Sequence, residues 1–541
     1  MCVRRGVLGA ASAALLGLSA AAALAGPAAE PARGFGVDPE NAHPPPTCGT
    51  VPYPSNTGQK TPKSILNSAW VWSFVSEPYL RPMKVSVNLN KPGTSNGLVF
   101  TAPYTYSSVA LYGQTGSLML ESNGDPIWFR PLSSPNLMNT DFRVQRLNGR
   151  PVLTFWQGTL ATPPVYTDTP SGSSEPGSCY YILDDSYRVL QTVQAQNGFT
   201  TDVHEFLLTP DNTALLLSTR AVAMDLRPYG GPRNGYVQDF AIQEIDLRSN
   251  NLVFFWDALQ HIPLADSYQP ASSASSSSNI WDAYHLNSIG LTDDPSDILL
   301  SSRNTHTIYR IHKPGGQIVW QLGGKHSDFT IGTGADFSWQ HDARFLSDNV
   351  VSMFDDNCCE SLSFVPPGTP PSHGLFLQLD LRNKTASWQR AYYHDPNLNV
   401  ASQGNTQSLG NGNIFIGWGQ LSYYSEYSPG GKTLYSVQMP GSNISYRAYR
   451  DTWVGRPYYP PSIAVRASPG QTTVYAAWNG STETVRWQVW AGRTPSRLTL
   501  VKVAARSGFE TEIPVTSPGP YFQAKAVDAR GQVIGASPVV Q

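Results

Sequence analysis

The chain has 541 residues, with 37 Lys and Arg against 39 Asp and Glu, for a formal net charge of -2. That balance provides neither the basic footprint of a nucleic-acid-binding protein nor a polybasic membrane patch. Charged residues make up only 14% while Gly (46), Pro (44) and aromatics (11%) are plentiful, which fits a turn-rich, all-β, secreted protein too long for one simple core.

The N-terminus reads as an export signal. Arg4 and Arg5 precede the apolar run "GVLGAASAALLGLSAAAALA", and Ala23-Leu24-Ala25 forms a small-residue cleavage site before Gly26. Residues 1–25 are therefore expected to be a signal peptide, leaving a secreted, extracellular protein with no stable membrane anchor after cleavage. Residues 26–84 are Pro- and Gly-rich and read as an extended leader. Cys2 leaves with the signal. Cys48, Cys179, Cys358 and Cys359 remain and allow three disulfide connectivities, of which at least one long-range bridge is expected in an oxidising compartment. No C-x-x-C spacing points to a metal site.

From about residue 85 short β-like runs alternate with turn residues, and one pattern recurs. "RVQRLNGRPVLTFW" from Arg143, "HEFLLTPDNTALLLSTR" from His204, "HLNSIGLTDDPSDILLSSR" from His285, "HDARFLSDNVVSMFDD" from His341 and "NTQSLGNGNIFIGW" from Asn405 are each a strand, a tight turn and an apolar strand. Most are followed by a second hairpin, as in "AIQEIDLRSNNLVFFW" and "HTIYRIHKPGGQIVW", and "SLMLESNGDPIWFRPL" supplies the outer hairpin of an earlier unit. Four-stranded units repeated in this way predict a six-bladed β-propeller over residues 85–458. A tandem of sandwiches would not need such regular pairs of hairpins, and a solenoid would have a shorter period. Residues 461–541 carry alternating strands with Trp478 and Trp487 as core aromatics and Tyr521 opening a late strand, and predict a small β-sandwich of fibronectin-III-like pattern.

The first strand of a propeller blade lines the axis, so matched positions form a ring. The alignment puts Arg143, His204, His285, His341 and Asn405 at one position, with Gln145, Phe206, Asn287, Ala343 and Gln407 two residues on. Arg220 and Arg303 end the second strands. Three imidazoles flanked by amides and arginines are then expected to converge. Neutral imidazole serves as nucleophile or proton carrier near pH 7, and Arg and Asn hold anionic oxygens, a kit suited to sulfuryl transfer. Candidate catalytic residues are His204, His285, His341 and Arg303. Candidate substrate-binding residues are Asn287, Asn405, Gln407, Asn304 and His306. Trp281, Tyr284, Trp339, Trp418 and Tyr423 are candidate aromatic walls. Three histidines could also hold zinc or copper, but a wide channel disfavours closure to ligand distance, so no metal and no cofactor is expected.

At "HEFLLTPDNTALLLS", "YHLNSI", "DILLSSRNTHTIYRI", "GGQIVWQLGG", "FSWQHDARFL" and "GNIFIGWG" the chain resembles the arylsulfotransferase family in its secreted single-chain branch. The resemblance spans roughly residues 85–455. It implies a six-bladed propeller that moves a sulfuryl group from a phenolic sulfate ester to a phenolic acceptor, without a nucleotide donor, through a transient sulfohistidine. His285 in "YHLNS" and His341 in "WQHDA" match family histidines, and His204 in "VHEF" matches one typical of this branch. Three positions depart from the family pattern. "FDDNCCE" lacks the family arginine, Asn405 stands where a channel histidine is wanted, and Asn304 stands where a histidine often sits. The other reading is a non-catalytic extracellular propeller that binds a glycan or protein, with the C-terminal module contacting a cell surface or polysaccharide.

Overall fold

The computed structural model describes residues 48, 68–105, 111–134, 136–159, 177–272, 274, 279–357, 369–517 and 519–541. The expected signal peptide, most of the leader, Cys358 and Cys359, and most of the serine-rich insertion lie outside the described residues.

Strands dominate, and the only α-helix among the described residues is the four-residue turn Ala258–His261. The reason is local. Runs such as Thr213–Met224 (TALLLSTRAVAM) are rich in β-branched and aliphatic residues and buried along most of their length, as expected of strands covered on both sides. Turn residues separate them. Asn148 (φ 50°) and Gly149 (φ 73°) make the two-residue loop between Leu147 and Arg150, the left-handed pair that a tight hairpin demands.

Six antiparallel sheets follow in order, each built largely from four consecutive strands. The second runs Met138–Leu147, Arg150–Gly158, Cys179–Leu183 and Val189–Val193. The third is Thr200–Leu208, Thr213–Met224, Gly235–Asp246 and Leu252–Asp257. The fourth is Leu286–Leu291, Asp297–Ser302, Thr307–His312 and Ile318–Gly323. The fifth is His341–Phe345, Val350–Asp355, His373–Asp380 and Thr385–Tyr393, with Thr330–Ile331 added at its edge. The first and sixth exchange their ends. Tyr449–Asp451 joins the first sheet beside Leu98–Thr101, whose hairpin Gly116–Leu120 and Pro126–Pro131 completes it. Ser86–Asn90 joins the sixth beside Thr433–Gln438, after Asn405–Ser408, Ile414–Gly417 and Tyr423–Tyr427. Both ends of this region are thereby held by strand pairing, which leaves no frayed terminal sheet.

Apolar clusters fill the spaces between successive sheets, as with Leu215, Phe240, Tyr284 and Leu300 between the third and fourth. Two further sheets of three and four strands enclose Trp487, Val489, Ile513 and Phe522, with Trp478 packed on their margin. These C-terminal sheets are pinned to the first: the Asn479 side chain accepts from Phe129 N and donates to Phe129 O, each at 2.9 Å. A disulfide joins Cys48 to Cys179 across 131 residues, a long-range bridge as expected.

The first strands of neighbouring sheets are held together by buried polar groups. Arg447, 1% exposed, donates to Asp141 Oδ1 (2.9 Å), Glu205 Oε2 (3.2 Å) and the carbonyl of Asn287 (2.9 Å). Arg143 pairs with Glu205 at 2.5 Å and Asp141 at 3.2 Å. Arg344 pairs with Asp342 at 2.5 Å and Glu205 at 2.7 Å. Tyr449 Oη donates to Asp141 (2.7 Å) and Thr406 N to Asp342 (3.1 Å). Burial alone would raise Glu205, but the guanidinium groups of Arg344, Arg447 and Arg143 overcome it and hold the carboxyl at about 2. Removing one partner strands the others' charge. Arg447→Met is expected to cost about 3–5 kcal/mol, read as a lowered urea midpoint at pH 7. A loss below about 1 kcal/mol would show that the ion cluster does not hold the first strands together.

Candidate active site

Each of the three candidate histidines sits where its strand departs from regular pairing. His204 lies inside Thr200–Leu208, His285 immediately precedes Leu286–Leu291, and His341 opens His341–Phe345. The ladders shift register at these points, between Leu216 and Ser218, Leu286 and Ser288, and His341 and Arg344. His285 (φ 50°) and Asp342 (φ 54°) carry left-handed backbone, a strain that survives only where the surroundings enforce it. The simple one-position alignment is corrected here. The histidines meet through bulges rather than through identical register, and Asn405 begins a strand that pairs without any shift.

They do meet. The His204 and His285 ring centroids are 4.8 Å apart, and those of His285 and His341 are 6.3 Å apart. Each imidazole is fixed by a carboxylate on Nδ1. In "DVH", His204 N and Nδ1 both lie on Asp202 Oδ1, at 2.9 and 2.6 Å. In "DAYH", His285 N lies 2.8 Å from Asp282 Oδ1 and Nδ1 lies 2.5 Å from Asp282 Oδ2. His341 takes its carboxylate from the end of the adjacent strand, Asp356 Oδ2 at 2.6 Å. A carboxylate accepts, so Nδ1 carries the proton and Nε2 holds the lone pair.

The three are not equivalent. The His341 side chain is 1% exposed, and its Nε2 accepts from Gln403 N at 3.1 Å. Burial drives its imidazolium well down, with Arg303 and the other two histidines adding, and burial also drives Asp356 up. The Gln403 N–H therefore decides the tautomer: neutral, protonated on Nδ1. His285 is the most open, with its side chain 18% exposed, and no protein group among the described residues holds its Nε2 or that of His204. Burial also lowers His285, against the opposing pull of Asp282.

Arg303 joins them. Its backbone N donates to His285 O (3.0 Å), and its guanidinium donates to Asn304 Oδ1 (3.0 Å) and Ala401 O (3.1 Å) and lies 4.8 Å from the Trp339 ring centroid. Asp202 and Asp282 do not pair with it, since both carboxylates face histidines. Arg220, at the matching strand end, instead meets Asp239 at 2.8 Å and Asp257 at 3.2 Å.

The candidate amides serve the framework. Asn287 is fully buried and donates to Gln340 O at 2.7 Å. Asn405 donates to Ala448 O (2.8 Å) and accepts from Ala448 N (2.9 Å). Gln407 does the same with Arg450 at 2.9 and 2.8 Å. The amides of Asn405 and Gln407 are used at both ends by main-chain groups, and that of Asn287 donates to one, so all three tie strands together. Asn304 also donates to Asp282 O at 2.7 Å, so it positions Arg303 and the Asp282 turn. His306 stacks on Tyr268 at 4.1 Å and meets Trp339 edge-on at 4.5 Å. Among the aromatic candidates, Trp281, Tyr284 and Trp418 are buried packing residues, and Tyr423 lies against His394.

Sequence reasoning missed Asp356 and Tyr446 and did not assign Asp202 and Asp282 to the histidines. The D-x-H and D-x-x-H spacings were a readable signal for Asp202 and Asp282, whereas Asp356 is fifteen residues from His341. Tyr446 stands 5.6 Å from His204 by ring centroid. Among the described residues no three His, Cys, Asp or Glu groups gather as a metal-ligand set, and no helix is long and apolar enough to cross a membrane. Beside the ion cluster a depression of about 240 Å³ is lined by residues including Arg143, Arg344, Gln407 and Asp451.

The family profile described as Arylsulfotransferase (ASST) matches residues 143–439. No curated protein matches the chain. Among solved structures the chain is similar to a protein of unknown function from Bacteroides caccae, at 11% identity and a TM-score of 0.37, over 66% of this chain and 100% of that one. TolB from Acinetobacter baumannii is similar at 10% identity and a TM-score of 0.33, over 66% of each chain. Virginiamycin B lyase from Staphylococcus aureus is similar at 10% identity and a TM-score of 0.30, over 74% of this chain and 97% of that one. Likeness this remote carries no functional reading.

The depressed histidines have a consequence for stability. Burial first, then Arg303 and Lys325, lower His306 to about 3. Between about pH 6.5 and pH 3 the unfolded chain binds a proton there that the folded chain does not. Stability is thus full above pH 6.5 and falls as pH drops through this window. Urea midpoints of wild type should decline more steeply from pH 6.5 to 4 than those of His306→Gln, and parallel curves would refute the assignment.

Proposed function

The chain belongs to the arylsulfotransferase family, and from that premise we propose that it is an exported enzyme that carries a sulfuryl group from a phenolic sulfate ester to a phenolic acceptor through His285. In this reading the six sheets are the blades of one propeller and the two C-terminal sheets are a fibronectin-III-like module. The paired ends of the first and sixth sheets support that architecture. The observation that carries the function is the set of three Asp-oriented imidazoles within stacking distance, beside a guanidinium.

In this reading the three imidazoles take unequal roles. His285 is neutral, most exposed and oriented by Asp282, so its Nε2 lone pair attacks the sulfur of the donor. The S–N bond forms as the S–O bond to the aryl group breaks, and the positive charge left on the ring is balanced by Asp282. The aryloxide leaves as its anion. His204, held by Asp202, takes the proton of the entering phenol on Nε2 as the phenol oxygen attacks sulfur and displaces the imidazole. That proton then passes to the released aryloxide. Arg303 faces the sulfuryl oxygens as charge shifts onto them. His341 is spoken for on both nitrogens and is a positioning residue that keeps the segment 401–403 against the site.

A second reading, a non-catalytic extracellular binding protein, is favoured by one observation: the sixth sheet contributes no imidazole to the group. One experiment separates the two. Purified chain with p-nitrophenyl sulfate and a phenol should release nitrophenol, and a trapped peptide should carry the sulfuryl group on His285. His285→Ala should abolish turnover and Asp282→Asn should lower kcat by about a hundredfold or more. Full turnover in His285→Ala overturns the assignment, while no turnover in wild type together with specific glycan retention by both chains supports the binding reading.

A further inference from the structure

Leading away from Arg303 is a continuous ladder of rings that the three imidazoles do not use. Trp339 lies under the Arg303 guanidinium at 4.8 Å. The His306 ring meets Trp339 edge-on at 4.5 Å and stacks face to face on Tyr268, with centroids 4.1 Å apart and planes 7° apart. The Lys325 ammonium stands 4.8 Å from the Tyr268 centroid. The ladder therefore begins beside the sulfuryl-handling end of the site and finishes at the surface, where Tyr268 is 43% exposed.

Several independent features hold it rigid. His306 (φ 51°) and Trp339 (φ 57°) both adopt left-handed backbone, which bulky residues reach only when their surroundings enforce it. Tyr268 N donates to Asn304 O at 2.8 Å, so its segment is tied to the turn that carries Arg303 and His306. Lys325 Nζ donates to Ala265 O (2.8 Å) and Ser267 O (2.7 Å), which fixes the cation over the outermost ring. His306 Nε2 is buried and has no hydrogen-bond partner among the described residues. Its imidazole is neutral across the physiological range, so the ring can take a hydroxyl hydrogen bond without bringing a charge. Aromatic faces with a cation at each end suit one chemistry: a planar aromatic ring bearing an anion.

We infer that Tyr268, His306 and Trp339, with Arg303 at the inner end and Lys325 at the outer, form the wall that holds the aromatic ring of an aryl anion beside His285. The inference rests on the transfer reading only for which anion is held. The wall sets specificity through ring contact, while Arg303 and the imidazoles see the anionic group.

Binding can be measured apart from turnover. In the His285→Ala chain, which is not expected to turn over, equilibrium binding of p-nitrophenyl sulfate is compared with that of methyl sulfate. Adding Trp339→Ala or Tyr268→Ala should weaken the aryl ester about tenfold and leave methyl sulfate unchanged, and Trp339→Phe should restore most of the loss. Equal affinities for the aryl ester with and without the wall substitutions overturn the inference. So does an equal loss for both esters. If Trp339→Ala fails to fold by circular dichroism, the exposed Tyr268→Ala decides the matter in the same way. Aryl binding that depends on the wall, in a wild-type chain with no transfer activity, would keep this inference and remove the transfer reading.

Discussion

Arg447 and its three carboxylate partners are the interaction on which the site depends. Asp141, Glu205 and Asp342 come from the first strands of three different sheets, and Arg447 also bonds the Asn287 carbonyl of a fourth. Three guanidinium groups and three carboxylates share this buried space, so charge is balanced. A cluster of this kind is a poor source of net stability, because desolvation costs about as much as the ion pairs return. Its effect is on arrangement. An apolar core would let the first strands slide past one another, whereas each ion pair has only one geometry.

That arrangement is transmitted to the histidines by adjacency. His204 precedes Glu205 and His341 precedes Asp342, while Asn287 follows His285 by two. When the acid or carbonyl is fixed by the cluster, the neighbouring imidazole must face away from it, toward the other two rings. The register shifts beside these residues mark where the strands leave regular pairing to accommodate both groups. The Asp partners then remove the last freedom of ring rotation, and for His341 the Gln403 N–H fixes the tautomer. Packing alone would place an imidazole but would leave its lone pair undirected.

Much of this was legible in the sequence, and the limits are physical. Hairpins are local objects, so "RVQRLNGRPVLTFW" and its counterparts announced their strands and turns. The recurrence of histidine at the starts of three such units announced their convergence. What failed was long-range or irregular. Ser86–Asn90 and Tyr449–Asp451 are short, and their partners lie more than 300 residues away, so nothing local marks them as closing strands. Bulges add a residue without changing the apolar pattern, which makes positions look matched when they are not. Asn405 and Gln407 fitted the ring by alignment, yet their amides bond the very strand that went unseen. Arg447 stood in "SYRAYR" with no neighbouring acid to betray its role.

The absence of a histidine from the sixth sheet takes on a different meaning in this light. A site made of identical side chains from every sheet would hold several imidazoles of similar basicity, each competing for the same proton. Here the segment leading into the sixth sheet contributes main-chain groups instead: Gln403 N binds His341 Nε2, and Ala401 O binds Arg303. The N–H takes the lone pair of His341 out of use, and the carbonyl orients the cation that disfavours protonation of His285. Three chemically identical side chains are thereby made unequal: His341 is closed on both nitrogens, His285 is the most open, and His204 is buried beside it and held by Asp202. That inequality is what a two-step transfer needs, because the group that forms the bond to sulfur and the group that carries the proton cannot be the same ring at the same moment.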